Sequence, residues 1–165
     1  MKAGIFLATS IAAALLAGTA AAGPGHKPGE GHSHTEDTAY GAPGDPKKPA
    51  RIIQIVFRED DGKMLFMPDK LKFKKGEQVR FQLRNNGAID HEFVVGTVEE
   101  NLKHMKDMEK NPDMEHDEPS KLSLAPGKQG EIIWQFTKAG TVNFACLMPG
   151  HYEAGMKGAV KVSKK

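Results

Sequence analysis

From Arg51 onward, apolar and polar positions alternate in short runs separated by turn residues. Val79, Phe81 and Leu83 alternate with Arg80, Gln82 and Arg84, the period-two pattern of a strand with one face in a core. RIIQIVFRE reads as a strand rich in β-branched residues, and KMLFMP as a second, ended by Pro68. KLKFKKGEQVRFQLRNNG carries two strands around the Lys75-Gly76 turn, and HEFVVG is a short apolar strand that starts at His91. KQGEIIWQFTK and GTVNFACLMPGH flank the Ala139-Gly140 turn, and KGAVKV closes the pattern. About seven or eight short strands with frequent turn signals predict an all-β fold, an antiparallel β-sandwich. One stretch breaks this rhythm. TVEENLKHMKDMEKNPDMEHDEPS is charged and helix-like, and predicts a helical insertion at about 99–118, closed by Pro112 or Pro119.

The first 50 residues follow neither pattern. Met1-Lys2, the apolar run Ile5–Ala17 and the small residues Thr19–Ala22 predict a secretory signal peptide over 1–22. The apolar run is shorter than the ~20 residues of a spanning helix, so no membrane insertion is expected. Residues 23–50 are rich in Gly, Pro, His and charge with almost nothing to bury, and predict a flexible arm ahead of a domain at 51–165. The formal charge of +2 falls to +1 without Lys2. A balance so close to neutral argues against nucleic acid as a partner. The expectation is an exported, soluble monomer.

Export changes the meaning of the lone cysteine. In an oxidising compartment thiols pair into disulfides, and Cys146 has no second cysteine to pair with. His151 follows it by five residues and Met156 follows His151 by five. Two imidazoles and a thiolate with a weak axial thioether suit copper that cycles between Cu(I) and Cu(II). One loop supplies three such ligands, with Pro149-Gly150 as the turn that returns His151 toward Cys146. The second imidazole must come from elsewhere. His91 opens a strand directly after the turn RNNGAID, whereas His104 and His116 lie in the charged insertion. Singly, each of these residues is more often structural than a ligand; their combination in an exported β-sandwich points to a metal.

KKGEQVRFQLRNNGAIDHEFVV and GTVNFACLMPGHYEAGMKGAV resemble the two metal-binding segments of the cupredoxins, the blue-copper proteins, over about Arg51–Val162. The resemblance implies a Greek-key β-sandwich holding one type 1 copper, with His91, Cys146 and His151 as equatorial ligands and Met156 as the axial one. The sequence departs from the pattern at Glu92, where many members have a small polar residue that locks the site by hydrogen bonds. A binuclear centre needs two cysteines in the loop, and the multicopper oxidases and copper nitrite reductases need further domains. A multi-copper enzyme is therefore not expected.

His104, Met105, Met108, Met114 and His116 give the insertion soft and borderline copper donors, and His26, His32 and His34 do the same for the arm. Two readings stand: an accessory copper site, or an amphipathic helix with its methionines on the sandwich and a plain solvated arm. Arm, insertion and core together resemble the periplasmic copper-tolerance cupredoxins of the CopI type. That likeness implies a periplasmic protein that captures, buffers or hands on copper, with a redox or copper-trafficking protein as partner. The alternatives are a soluble respiratory electron carrier and a Cu(I) oxidase.

Overall fold

In the computed structural model, which describes residues 38–111 and 118–164, ten strands form two five-stranded sheets among the described residues. The strands are β1 (Ala42–Pro43), β2 (Arg51–Asp60), β3 (Lys63–Met67), β4 (Lys70–Lys74) and β5 (Gln78–Asn85). After β6 (His91–Gly96) comes helix α1 (Val98–Lys110), then β7 (Lys121–Leu124), β8 (Gln129–Gln135), β9 (Gly140–Ala145) and β10 (Lys157–Ser163). One sheet runs β1-β8-β5-β2-β3 and the other β4-β10-β9-β6-β7. The alternation in β5 does what its pattern dictates, burying Val79, Phe81 and Leu83 in the space between the sheets.

Aromatic rings dominate that space. Phe93 stacks on Phe144 with centroids 5.0 Å apart, and Phe66 meets both edge-on. Phe57, Phe81 and Phe136 are likewise fully buried. Burying an aromatic side chain of this size contributes about 1.5–3 kcal/mol, so the rings fix how the sheets face each other. Among the described residues, no helix is long and apolar enough to cross a membrane.

Three features depart from the sequence reading. The sheets are mixed rather than antiparallel, because β2 pairs parallel with β5 and β4 parallel with β10. Periodicity shows which face is buried but carries no information on the direction of a neighbour. The strand β7 was not expected: four residues are too few to display a period, and pairing with β6 specifies it. Part of the expected arm is also packed on the sandwich. Tyr40 stacks on Trp134 at 5.5 Å and its carbonyl accepts the indole N–H at 3.0 Å. Ala42 and Pro43 pair with β8, and the Asp45 N–H donates to Gln78. One aromatic and a two-residue strand make no pattern, yet they cover an otherwise open tryptophan.

Helix α1 begins with a capping box: Thr97 accepts from the Glu100 N–H, and the Glu100 carboxylate accepts from the Thr97 N–H. It ends at Lys110 with Asn111 as C-cap, just before Pro112, which disfavours helical geometry in the residue ahead of it. Its contacts follow the amphipathic pattern. Met105 packs against Val94, Ala145 and Leu147, and Met108 is buried.

Candidate metal centre

The C-terminal ends of β2, β5 and β9 and the N-terminal ends of β6 and β10 meet at one end of the sandwich. Cys146 follows β9 directly, and Met156 precedes β10. Their backbones are tied together: the Cys146 N–H donates to the Met156 carbonyl and the Met156 N–H to the His151 carbonyl, both at 3.0 Å. Within this closed loop the His151 N–H donates to the Met148 carbonyl at 3.0 Å. Gly150 takes φ +83°, a left-handed conformation that costs glycine little, and so turns the chain back toward Cys146.

His91 comes from the other side, as the first residue of β6, and has no solvent exposure. Its Nδ1 lies 3.2 Å from His151 Nδ1, and His151 Nδ1 lies 3.2 Å from Cys146 Sγ. Ligating atoms of the three residues all lie within 4.8 Å of one another. Bonds of ~2.0 Å to nitrogen and ~2.3 Å to sulfur, at tetrahedral to trigonal angles, separate such donors by about 3.3–3.7 Å. The observed spacing is close to that. Two imidazoles and a sulfur, converging with no carboxylate among the ligating atoms, suit copper better than magnesium or calcium.

Met156 is fully buried in the same core cluster as Cys146. The structure thus brings His91, Cys146, His151 and Met156 to one end. His104 and Met105 lie apart from them on α1. The Nδ1 of His104 is 3.5 Å from Lys121 Nζ, and Met105 is packed against the sheet. Met108, near the helix end, reaches a pocket that His151 also lines. His26, His32, His34, Met114 and His116 lie outside the described residues.

Two supporting residues escaped the sequence reading. Glu59, at the end of β2, places one carboxylate oxygen 2.6 Å from His91 Nε2 and accepts the Ala88 N–H at 2.9 Å with the other. These bonds outweigh burial and hold its carboxyl below the usual carboxylate range. Gly87 makes room for it, since a Cβ there would collide with the Glu59 carboxylate. A carboxylate on Nε2 keeps that nitrogen protonated and leaves the Nδ1 lone pair free for a metal. Asn85, fully buried, donates to the Ile89 and Leu124 carbonyls at 2.8 Å and accepts the Gly87 N–H. It thereby fixes the loop that leads into His91. A glutamate and an asparagine at the ends of two strands carry no local mark of these roles.

Glu92 is the departure from the resembled pattern, and the structure gives it a task. Its N–H donates to Cys146 Sγ at 3.4 Å, and its buried carboxylate accepts the Leu147 N–H at 2.7 Å. The residue after His91 therefore still locks the cysteine loop, with a longer side chain. Burial raises the Glu92 carboxyl above its ordinary range. Burial likewise pushes the Cys146 thiol up to about 12, so without metal it is a neutral thiol. Burial, with His91 beside it, lowers His151, which favours the neutral imidazole that a metal requires.

Comparisons with known proteins agree with this geometry. A profile of copper binding proteins, the plastocyanin/azurin family, matches residues 53–163. The chain is 47% identical over 154 residues to the copper-resistant cuproprotein CopI of Rubrivivax gelatinosus, covering 91% of this chain and 92% of that protein. It is 36% identical over 126 residues to the CopI of Vibrio cholerae, covering 76% of this chain and 72% of that one. Among solved structures, auracyanin B superimposes with a TM-score of 0.60 at 24% identity, over 75% of this chain and 96% of that one, which shows a shared fold. The chain therefore belongs to the plastocyanin/azurin family of copper-binding proteins, with copper as its cofactor.

Proposed function

We propose that this protein is a periplasmic, monomeric cupredoxin with one type 1 copper that serves copper tolerance by capturing, buffering or handing on copper. The observation that carries the reading is the convergence of His91 Nδ1, His151 Nδ1 and Cys146 Sγ in one buried cluster. His91, Cys146 and His151 would hold the metal, with Met156, buried in the same cluster as Cys146, as a further thioether donor. Copper in such a set supplies one-electron chemistry between Cu(I) and Cu(II). The chain's own part is to prepare the donors. Glu59 fixes the tautomer of His91, the Glu92 N–H steadies the sulfur, and the aromatic core excludes water. Cys146, a neutral thiol beforehand, would give up its proton on taking the metal.

Tolerance is preferred to respiratory electron transport because the likenesses that cover 75–91% of this chain are to proteins named for copper resistance. A binding role is preferred to enzymatic Cu(I) oxidation on the same ground. The reading is tested by a metal count with visible and EPR spectra on the purified chain, followed by complementation of a copper-sensitive strain. One copper per chain with an intense thiolate-to-copper band is expected, lost in Cys146→Ser. A band that survives C146S would sink the ligand assignment, and restored respiration without restored tolerance would sink the cellular role.

A further inference from the structure

Helix α1 places Met108 at a pocket that His151 also lines, and the reason is geometric. Strand β6 leads away from His91 for six residues, about 16 Å from first to last. The chain turns at Gly96-Thr97, and α1 returns along the sheet, covering about 15 Å between Val98 and Met108. The two lengths match, so Met108 arrives back at the end of the sandwich where β6 began. There it lines an open pocket of about 470 Å³ together with Ile89, Asp90, Met148, Pro149 and His151.

This pocket adjoins the buried cluster and is distinct from it. His151 turns Nδ1 inward toward Cys146 and His91, and ring geometry aims its other nitrogen, Nε2, away from them. Two methionines, Met108 from the helix and Met148 from the cysteine loop, line the pocket together with His151. A carboxylate, Asp90, lies at the wall, and no lysine or arginine is among the lining residues. Neutral thioether donors discriminate for Cu(I) over Cu(II) and over hard cations. A surface meant only for apolar contact has no need of sulfur from two separate elements.

We propose that this pocket is a docking site for a second, cuprous ion, held by the thioethers of Met108 and Met148 beside the outer edge of His151. The inference rests on the copper-tolerance reading for the identity of the ion and goes beyond it in naming where cargo copper first lands. Occupation needs neither Cys146 nor His91, so the site is available while the buried centre is already filled. It would serve as the stage from which Cu(I) is passed inward or on to another carrier.

The test uses the full chain with its buried centre loaded, labelled with 13C at the methionine methyls and titrated with Cu(I) under anaerobic conditions. Ag(I) serves as a redox-inert parallel probe. The expected result is that the Met108 and Met148 methyl signals shift together with the first added equivalent, ahead of the other methionines. Met108→Leu, which conserves volume, should weaken this second Cu(I) at least tenfold while the thiolate-to-copper band stays. Unmoved Met108 and Met148 methyls, or unchanged second-ion affinity in M108L, would overturn the proposal. Failure of the underlying reading would look different: the chain would not load a first copper or show the band at all.

Discussion

His91 and His151 stand 3.2 Å apart and offer the same atom to the same point, yet they are built differently. His91 is the first residue of a strand, fully buried, edge-on to Phe57 and held at Nε2 by Glu59. His151 sits in a loop closed by its own backbone hydrogen bonds, half-buried, with its outer edge lining a pocket. One imidazole is set by the fold before any metal arrives. The other guards the way in. The comparison teaches that rigidity and access are divided between the two ligands: packing and a carboxylate supply the first, a short loop the second.

The largest expected effect separates the two directly. Removal of the His151 ring opens the centre to the surface pocket, so His151→Gly should lose the thiolate-to-copper band and regain it when imidazole is added. His91→Gly should not be rescued, and it should also cost the metal-free protein about 2–5 kcal/mol through a buried cavity and an abandoned carboxylate. Equal rescue of the two variants, read by absorption and by urea unfolding, would break the comparison.

Next in size is the carboxylate that only His91 possesses. Glu59→Gln keeps the volume and weakens the hold on Nε2, and copper affinity should fall about 10–100-fold. Competition against a chelator measures it, and an unchanged affinity would show that packing alone sets the ring.

The cysteine sharpens the loop side through pH. Burial pushes its folded thiol up to about 12, well above the ordinary thiol range. A raised value means that the metal-free fold is favoured below about pH 9 and loses that contribution as pH rises toward 12. Urea midpoints of the metal-free protein should therefore fall between pH 9 and 11, and Cys146→Ala should flatten the fall. Over the same range copper competes with one proton, so its affinity should rise about tenfold per pH unit without levelling near 9.

The smallest change is expected at Met156. Met156→Leu conserves volume and should alter stability by less than about 1.5 kcal/mol, while loss of a donor to Cu(II) raises the reduction potential. Voltammetry on the variant checks the sign.

Much of this was legible in local patterns. The alternation in β5 identified its buried face, and the spacing of Cys146, His151 and Met156 identified one loop with three soft donors. The acceptance of His91 needed one further step, its position at the start of a strand after a turn. What stayed hidden depends on residues far apart in the chain. Glu59 precedes His91 by 32 residues, and no local pattern connects them until parallel pairing of β2 with β5 brings the end of β2 beside the loop into β6. Tyr40 reads as arm composition until Trp134 lies beneath it.

By itself, then, the sequence determined the kind of chemistry and the class of fold, because donor type, spacing and burial period are properties of short segments. The tertiary structure decided which imidazole is fixed and which is accessible, how Glu92 locks the loop, and why Met108 rather than Met105 faces the metal end. Those outcomes follow from strand direction and from a helix matched in length to the strand it retraces. Neither quantity is written in any single stretch of residues.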